Sequence, residues 1–102
     1  MPIRYLLAVC CALAMAQAAQ ADEKLMKSKA CLSCHTVERK VVGPAFKDVA
    51  KKRAGEEGAA QLLAQHIRQG SKDVYGKVPM PPNTRVSEEE ALKLAEWILT
   101  LK

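Results

Sequence analysis

The residues best suited to chemistry stand together in Cys31-Leu32-Ser33-Cys34-His35. Two thiols three positions apart lie on one side of a helical turn. From there each can add to one of the two vinyl groups of a haem, forming thioethers. The next residue, His35, then sits beneath the iron and offers a neutral imidazole nitrogen as axial ligand. A second candidate ligand lies further on, in Val78-Pro79-Met80-Pro81-Pro82-Asn83. Prolines flank Met80 and hold the backbone extended, so this methionine is no helix-core filler. Its thioether sulfur is placed to reach iron. Met26 shares a helix with the attachment motif and does not easily reach the opposite haem face. The expected metal ligands are therefore His35 and Met80, with one covalent haem c bound through Cys31 and Cys34.

The N-terminus reads as an address rather than as structure. Arg4 gives a short basic start, and Tyr5 to Ala16 is an apolar run too short to span a membrane. Ala19-Gln20-Ala21 is a small-x-small cleavage site, so residues 1–21 are expected to be a secretion signal and 22–102 the mature domain. A lipoprotein signal is the rival, but Val9 before Cys10 is not the small residue such a site needs. Cys10 and Cys11 leave with the signal, and only Cys31 and Cys34 remain of the four cysteines. A chain of this length makes one domain, near the size where a core alone is marginal. A buried covalent haem makes good that shortage, because its contacts exist only in the folded state. Bacterial haem attachment takes place outside the cytoplasm, which agrees with export to the periplasm. Sixteen Lys and Arg less Arg4, against eleven Asp and Glu, leave a mature charge of about +4. That mild excess biases docking towards acidic protein surfaces. Charges of mixed sign without interleaved aromatics argue against nucleic acid.

The elements that position these residues read as all-α: four to five short helices separated by Gly and Pro, with no strand pattern and no repeat. A first helix is expected from about Glu23 to Cys34, with Asp22 as N-cap. Leu25, Met26 and Ala30 form its apolar stripe, and Lys24, Lys27 and Lys29 face water or rim a docking surface. Gly43 permits a tight turn, and Pro44 is pre-set for the first turn of a helix. A haem-ligating histidine also needs its other ring nitrogen bonded, and a carbonyl in this turn is the nearest candidate. The second helix, Ala45 to Ala54, puts Phe46, Val49 and Ala50 inward. Phe46 is a haem wall or ordinary core. The third, Gly58 to Gln69, is closed by Gly70. Its stripe of Ala59, Leu62, Leu63, His66 and Ile67 has His66 at the edge. His66 is either packed with one hydrogen bond or a partner to a haem propionate, with iron ligation a remote third. A Gly- and Pro-rich loop, Ser71 to Arg85, carries Met80. Asn83 there is an amide donor to the methionine sulfur or a turn residue. The last helix opens on a capping box, Ser87-Glu88-Glu89-Glu90. It carries a broad apolar face with a half-buried Trp97, and is expected to cross the first helix near Leu25 and Met26.

On the CLSCH segment, Val42-Gly43-Pro44-Ala45-Phe46-Lys47-Asp48-Val49-Ala50, the Met80 loop and Glu96-Trp97-Ile98-Leu99, the mature chain resembles the small bacterial class I cytochromes c of the c-551 (c8) type. The resemblance runs from Glu23 to Lys102. It implies a helical fold wrapped around haem c, axial ligands His35 and Met80, a Pro44 carbonyl accepting from His35, and Asn83 steadying the methionine sulfur. Relatives often carry a tryptophan bonded to a propionate just before the loop glycine. Here Tyr75 precedes Gly76, so a phenol makes that contact or it is lost. His66 matches a position where arginine or histidine lies near the inner propionate.

The function implied is a periplasmic one-electron carrier, not an enzyme: a monomer without stable membrane insertion that meets redox proteins briefly at an exposed haem edge. By family analogy the donor is a quinol-oxidising complex and the acceptor a nitrite reductase, terminal oxidase or peroxidase. Two rivals remain in view. One is a haem enzyme or gas sensor in which Met80 leaves the iron. The other is a dithiol or zinc protein. For that reading the strands of a thioredoxin-like fold are missing, and Cys31, Cys34, His35 and His66 exhaust the mature Cys and His.

Overall fold

The computed structural model describes residues 23–102; the expected secretion signal 1–21, with its two cysteines, and the expected Asp22 cap lie outside the described residues. The described chain is helical: α1 (23–28), a 3-10 turn (Cys31–Ser33), α2 (Phe46–Lys52), α3 (Ala59–Gln69) and α4 (Glu88–Leu99). Among these residues the only β-type pairing is one isolated antiparallel bridge between Ser71 and Met80.

The first helix is shorter than its apolar stripe suggests. It does not run on to Cys34, because Ala30 adopts a left-handed conformation, φ 62° and ψ 19°, that turns the chain. The attachment motif then winds more tightly: the Cys31 carbonyl accepts from Cys34 N–H at 3.2 Å and from His35 N–H at 3.0 Å. With about three residues per turn, positions i and i+3 eclipse, so the two thiol-bearing residues align better than on an α-helix. The break leaves Ala30 exposed instead of extending the stripe of Leu25 and Met26. It also turns Lys29 away from the solvent face. Its Nζ donates to the Arg85 carbonyl at 3.0 Å and stands 3.4 Å from Glu90 Oε2.

In α2, Phe46, Val49 and Ala50 are buried as their spacing predicts. Pro44 is not in its first turn. Ala45 is the extended N-cap residue and Pro44 precedes it, which leaves the Pro44 carbonyl outside the helical ladder. α3 ends at Gly70, where φ is +83° and an added Cβ would stand 2.6 Å from the Met80 carbonyl oxygen and 3.1 Å from Pro82 N. Glycine is required there for both conformation and space. α4 begins with the capping box: Ser87 Oγ accepts from Glu90 N–H, and the Glu90 carboxylate accepts from Ser87 N–H, each at 3.1 Å. α4 packs on α3 and α2. Its Ala91, Leu94 and Ala95 are fully buried in one core with Met26, Phe46, Val49, Leu63, Ile67, Val86 and Ile98. Met26 in that core gives the expected approach of the first helix to the last.

The cap sets two outcomes. Ser87→Ala should cost about 1 kcal/mol in denaturant unfolding. The Glu90 carboxyl lies below the ordinary carboxylate range, chiefly through the Ser87 backbone bond, with burial opposing and Lys29 assisting. As acid is added the unfolded chain takes this proton first, so the stabilisation is full above the ordinary carboxylate range and is lost as pH falls through the lowered folded value. Glu90→Gln should therefore destabilise near neutrality and match the wild type in strong acid, as read from urea midpoints at the two pH values.

Candidate haem site

One cavity of about 410 Å³ opens between the attachment motif, α3 and the Met80 loop. It is lined by Cys31, Cys34, His35, Pro44, Phe46, His66, Tyr75, Met80 and Asn83, so every residue singled out in the sequence meets on this one surface. Leu63, Ile67, Leu94 and Ile98 supply an apolar floor.

His35 is fixed from several directions. Its Nδ1–H donates to the Pro44 carbonyl at 2.8 Å, so in the neutral ring Nε2 is the nitrogen with a free lone pair. The Phe46 ring stacks on the imidazole with centroids 4.8 Å apart and planes inclined by 22°, and Phe46 in turn meets Trp97 edge-on at 6.1 Å. Gly43 closes the turn beside the ring. A Cβ there would meet His35 Cε1 and come within 2.8 Å of Nδ1 and 3.0 Å of Nε2. The Gly43 N–H donates to the Cys34 carbonyl at 2.7 Å, tying the turn to the motif. Burial pushes the Cys31 thiol up, with a backbone hydrogen bond working the other way. A thiol held protonated is a poor redox nucleophile, against the needs of a dithiol site.

Met80 is held by its backbone, exchanging hydrogen bonds with Ser71 at 2.9 and 3.0 Å. Asn83 anchors the far side of the loop. Its N–H donates to the Ile67 carbonyl at 2.9 Å, its Oδ1 accepts from Arg85 N–H at 3.1 Å, and its Nδ2 donates to the Lys29 carbonyl at 3.2 Å. The side-chain amide thus spends one hydrogen on α1's end, and its role is larger than that of a turn residue.

His66 lies on the cavity wall with Nδ1 buried and, among the described residues, without a hydrogen-bond partner. Burial first, and the charge of Arg53 second, hold its pKa below the ordinary imidazole value. The Tyr75 hydroxyl accepts from Arg53 Nε at 3.2 Å. With Lys47, Lys51 and Lys52, Arg53 falls on the face of the second helix that the sequence turns outward, and nothing in the sequence marks its contact with Tyr75.

These groups fit a haem. An apolar cavity of this size, two half-buried cysteines side by side, one imidazole with a single nitrogen left over, a thioether and an orphaned polar atom meet its chemical needs. The comparisons with known proteins agree. The cytochrome c family model matches residues 19–102. The chain belongs to the cytochrome c family. Cytochrome c-551 of Stutzerimonas stutzeri is 61% identical over 92 residues, covering 89% of this chain and 88% of that protein. Cytochrome c-551 of Ectopseudomonas mendocina is 62% identical over 80 residues, or 78% and 96% of the two chains. The crystal structure of Nitrosomonas europaea cytochrome c552 superposes with a TM-score of 0.77 at 54% identity, over 78% of this chain and 99% of that one. This cytochrome c is accordingly of the small class I c-551 type, an electron carrier and not an enzyme, with one covalent haem c joined through Cys31 and Cys34.

The Gly43 contact makes a sharp test of the site. In this cytochrome, Gly43→Ala should force the imidazole or the turn to move. It should destabilise the holoprotein by about 1–3 kcal/mol, and the His35 Nδ1–H resonance of the reduced protein should lose its protection from exchange.

Proposed function

We propose that this protein carries single electrons in the bacterial periplasm, with its iron ligated by His35 Nε2 and the Met80 sulfur. One observation carries the reading. A single cavity joins an imidazole whose Nδ1–H is held by the Pro44 carbonyl to a methionine whose backbone is closed onto Ser71. Bound haem supplies a reversible Fe(III)/Fe(II) couple. The chain does the rest. The Pro44 bond fixes the His35 ring and tautomer. Met80, a soft ligand, favours Fe(II), and the apolar floor disfavours the additional charge of Fe(III); both raise the potential. Prolines and the Ser71 bridge keep the Met80 backbone in place whichever state the iron is in, so little reorganises on transfer. Asn83 steadies the same loop, with its second amide hydrogen left for the methionine sulfur.

Val42 and Val78 line the cavity yet are 50% and 66% exposed, and Lys40 and Lys77 stand on the same wall. An apolar rim with basic neighbours suits brief contact with acidic redox proteins. The donor is then a quinol-oxidising complex and the acceptor a nitrite reductase, terminal oxidase or peroxidase, met by a monomer whose residues 1–21 direct export and are removed.

The visible spectrum of protein matured in a haem-c-competent periplasm tests the ligation. Haem should survive acid extraction, and the weak long-wavelength ferric band of methionine–iron ligation should be present. Met80→Ala should lose that band, lower the potential and bind CO rapidly when reduced. A wild type without the band that takes up CO rapidly would instead favour a sensor or enzyme. Val78→Asp should weaken transfer to a partner by roughly tenfold with the potential unchanged, as measured by stopped-flow oxidation.

A further inference from the structure

Arg53, Tyr75 and His66 are used by neither proposed ligand; Arg53 follows the end of α2, Tyr75 lies on the Met80 loop and His66 on α3. Tyr75 and His66 belong to the cavity wall; Arg53 stands behind it, its side chain only 13% exposed. Arg53 Nε donates to the Tyr75 hydroxyl oxygen, and Nη1 donates to both carboxylate oxygens of Glu56 at 3.1 and 3.2 Å. The phenol ring is also pinned. Lys52 Nζ lies 5.1 Å from its centroid and the Arg53 guanidinium carbon 5.8 Å, within cation–π range. Lys52 is itself held by the Val74 carbonyl at 3.1 Å.

A phenol oxygen that accepts from a guanidinium keeps its own O–H to give elsewhere, and the charged donor strengthens that gift. On the lining of the same cavity His66 Nδ1 is buried and without a partner among the described residues, a costly state for a polar atom unless something fills the cavity. Two unspent polar groups backed by a fixed cation suit a carboxylate, and haem carries two.

We infer that Arg53 is the positioning residue of a carboxylate subsite at this end of the cavity, holding the Tyr75 hydroxyl as donor to a haem propionate beside His66. The inference rests on the cavity's being the haem site, but not on Met80 ligation. Asp73, Tyr75 and Lys77 of the loop line the same cavity as His66, while Lys52 and Arg53 meet Tyr75, and Glu56 pairs with Arg53. Arg53 is the one whose charge disfavours a proton on His66, adding to burial. A bound propionate acts in the opposite direction. Protonation of His66 favours Fe(II), so the potential is higher below the His66 midpoint and falls as pH rises through it. The fixed charge of Arg53 raises the potential on both sides of that bend.

The test uses the intact holoprotein. Reduction potential is followed against pH, and the His66 ring is titrated by proton NMR in the reduced state, for wild type, Arg53→Gln, Arg53→Lys and Tyr75→Phe. Arg53→Gln should lower the potential at every pH and move the His66 midpoint upward by roughly half a pH unit. Arg53→Lys keeps the charge and should leave that midpoint near the wild-type value. Tyr75→Phe should lower the potential, and adding Arg53→Gln to it should lower it by less than Arg53→Gln does alone. An unmoved potential and midpoint in Arg53→Gln, or full additivity with Tyr75→Phe, overturns the inference. If Arg53→Gln does not fold, a Tyr75→Phe potential equal to wild type overturns it. The ferric spectrum of each sample separates the two questions: a missing methionine band sinks the proposed ligation while this titration still reads out.

Discussion

The hydrogen bond from His35 Nδ1 to the Pro44 carbonyl is the contact on which the rest of the molecule depends. It decides which ring nitrogen faces away from the turn and in which plane the imidazole lies. The carbonyl is available because Pro44 stands ahead of α2 and outside its ladder. The turn that presents it is laced back to the motif, with Phe46 N–H on the Thr36 carbonyl at 2.9 Å and Lys47 N–H on the Val37 carbonyl at 3.1 Å. Phe46 carries the constraint inward, stacked on His35 at one contact and edge-on to Trp97 of α4 at another. The setting of His35 and the packing of the core are therefore one problem, and a change that disturbs either is felt by both.

Met80, the other proposed ligand, is governed by backbone rather than by side chains. Gly70 ends α3 in a conformation that brings the Met80 carbonyl within reach of Ser71, and no larger residue fits. Asn83 then ties the returning chain to α3 through Ile67 and to the end of α1 through Lys29. His35 is thus referenced to α2 and α4, and the Met80 loop to α3 and the end of α1. A carrier benefits from this arrangement, because covalent stiffness and hydrogen-bonded turns resist reorganisation without binding a partner tightly.

Surface ion pairs contribute less. Lys47 and Glu38 approach to 2.7 Å, but their side chains are 36% and 67% exposed, and Arg68 and Glu88 are more open still. Screened pairs of this kind contribute about 0–1 kcal/mol. The contacts that matter for charge are the half-buried ones: Lys29 between the Arg85 carbonyl and Glu90, and Arg53 between Tyr75 and Glu56. They stand where elements distant in sequence meet.

By itself the sequence determined the chemistry and most of the helical plan. Covalent spacing puts Cys31, Cys34 and His35 on one turn, prolines isolate Met80 in a loop, and apolar periodicity with Ser87, Glu90 and Gly70 marks α3 and α4 nearly to the residue. Such features are local, because a helix face or a cap depends on neighbours within four positions. What only the tertiary structure decided depends on partners far along the chain. The left-handed Ala30 that breaks the first helix, the pull of Lys29 away from solvent, the reach of the Asn83 amide to the Lys29 carbonyl and the grip of Arg53 on Tyr75 leave no periodic trace. In the last three, a polar group was diverted from the role its local pattern suggests by an acceptor or donor that folding brought within hydrogen-bond distance, and a buried group left without such a partner is costly.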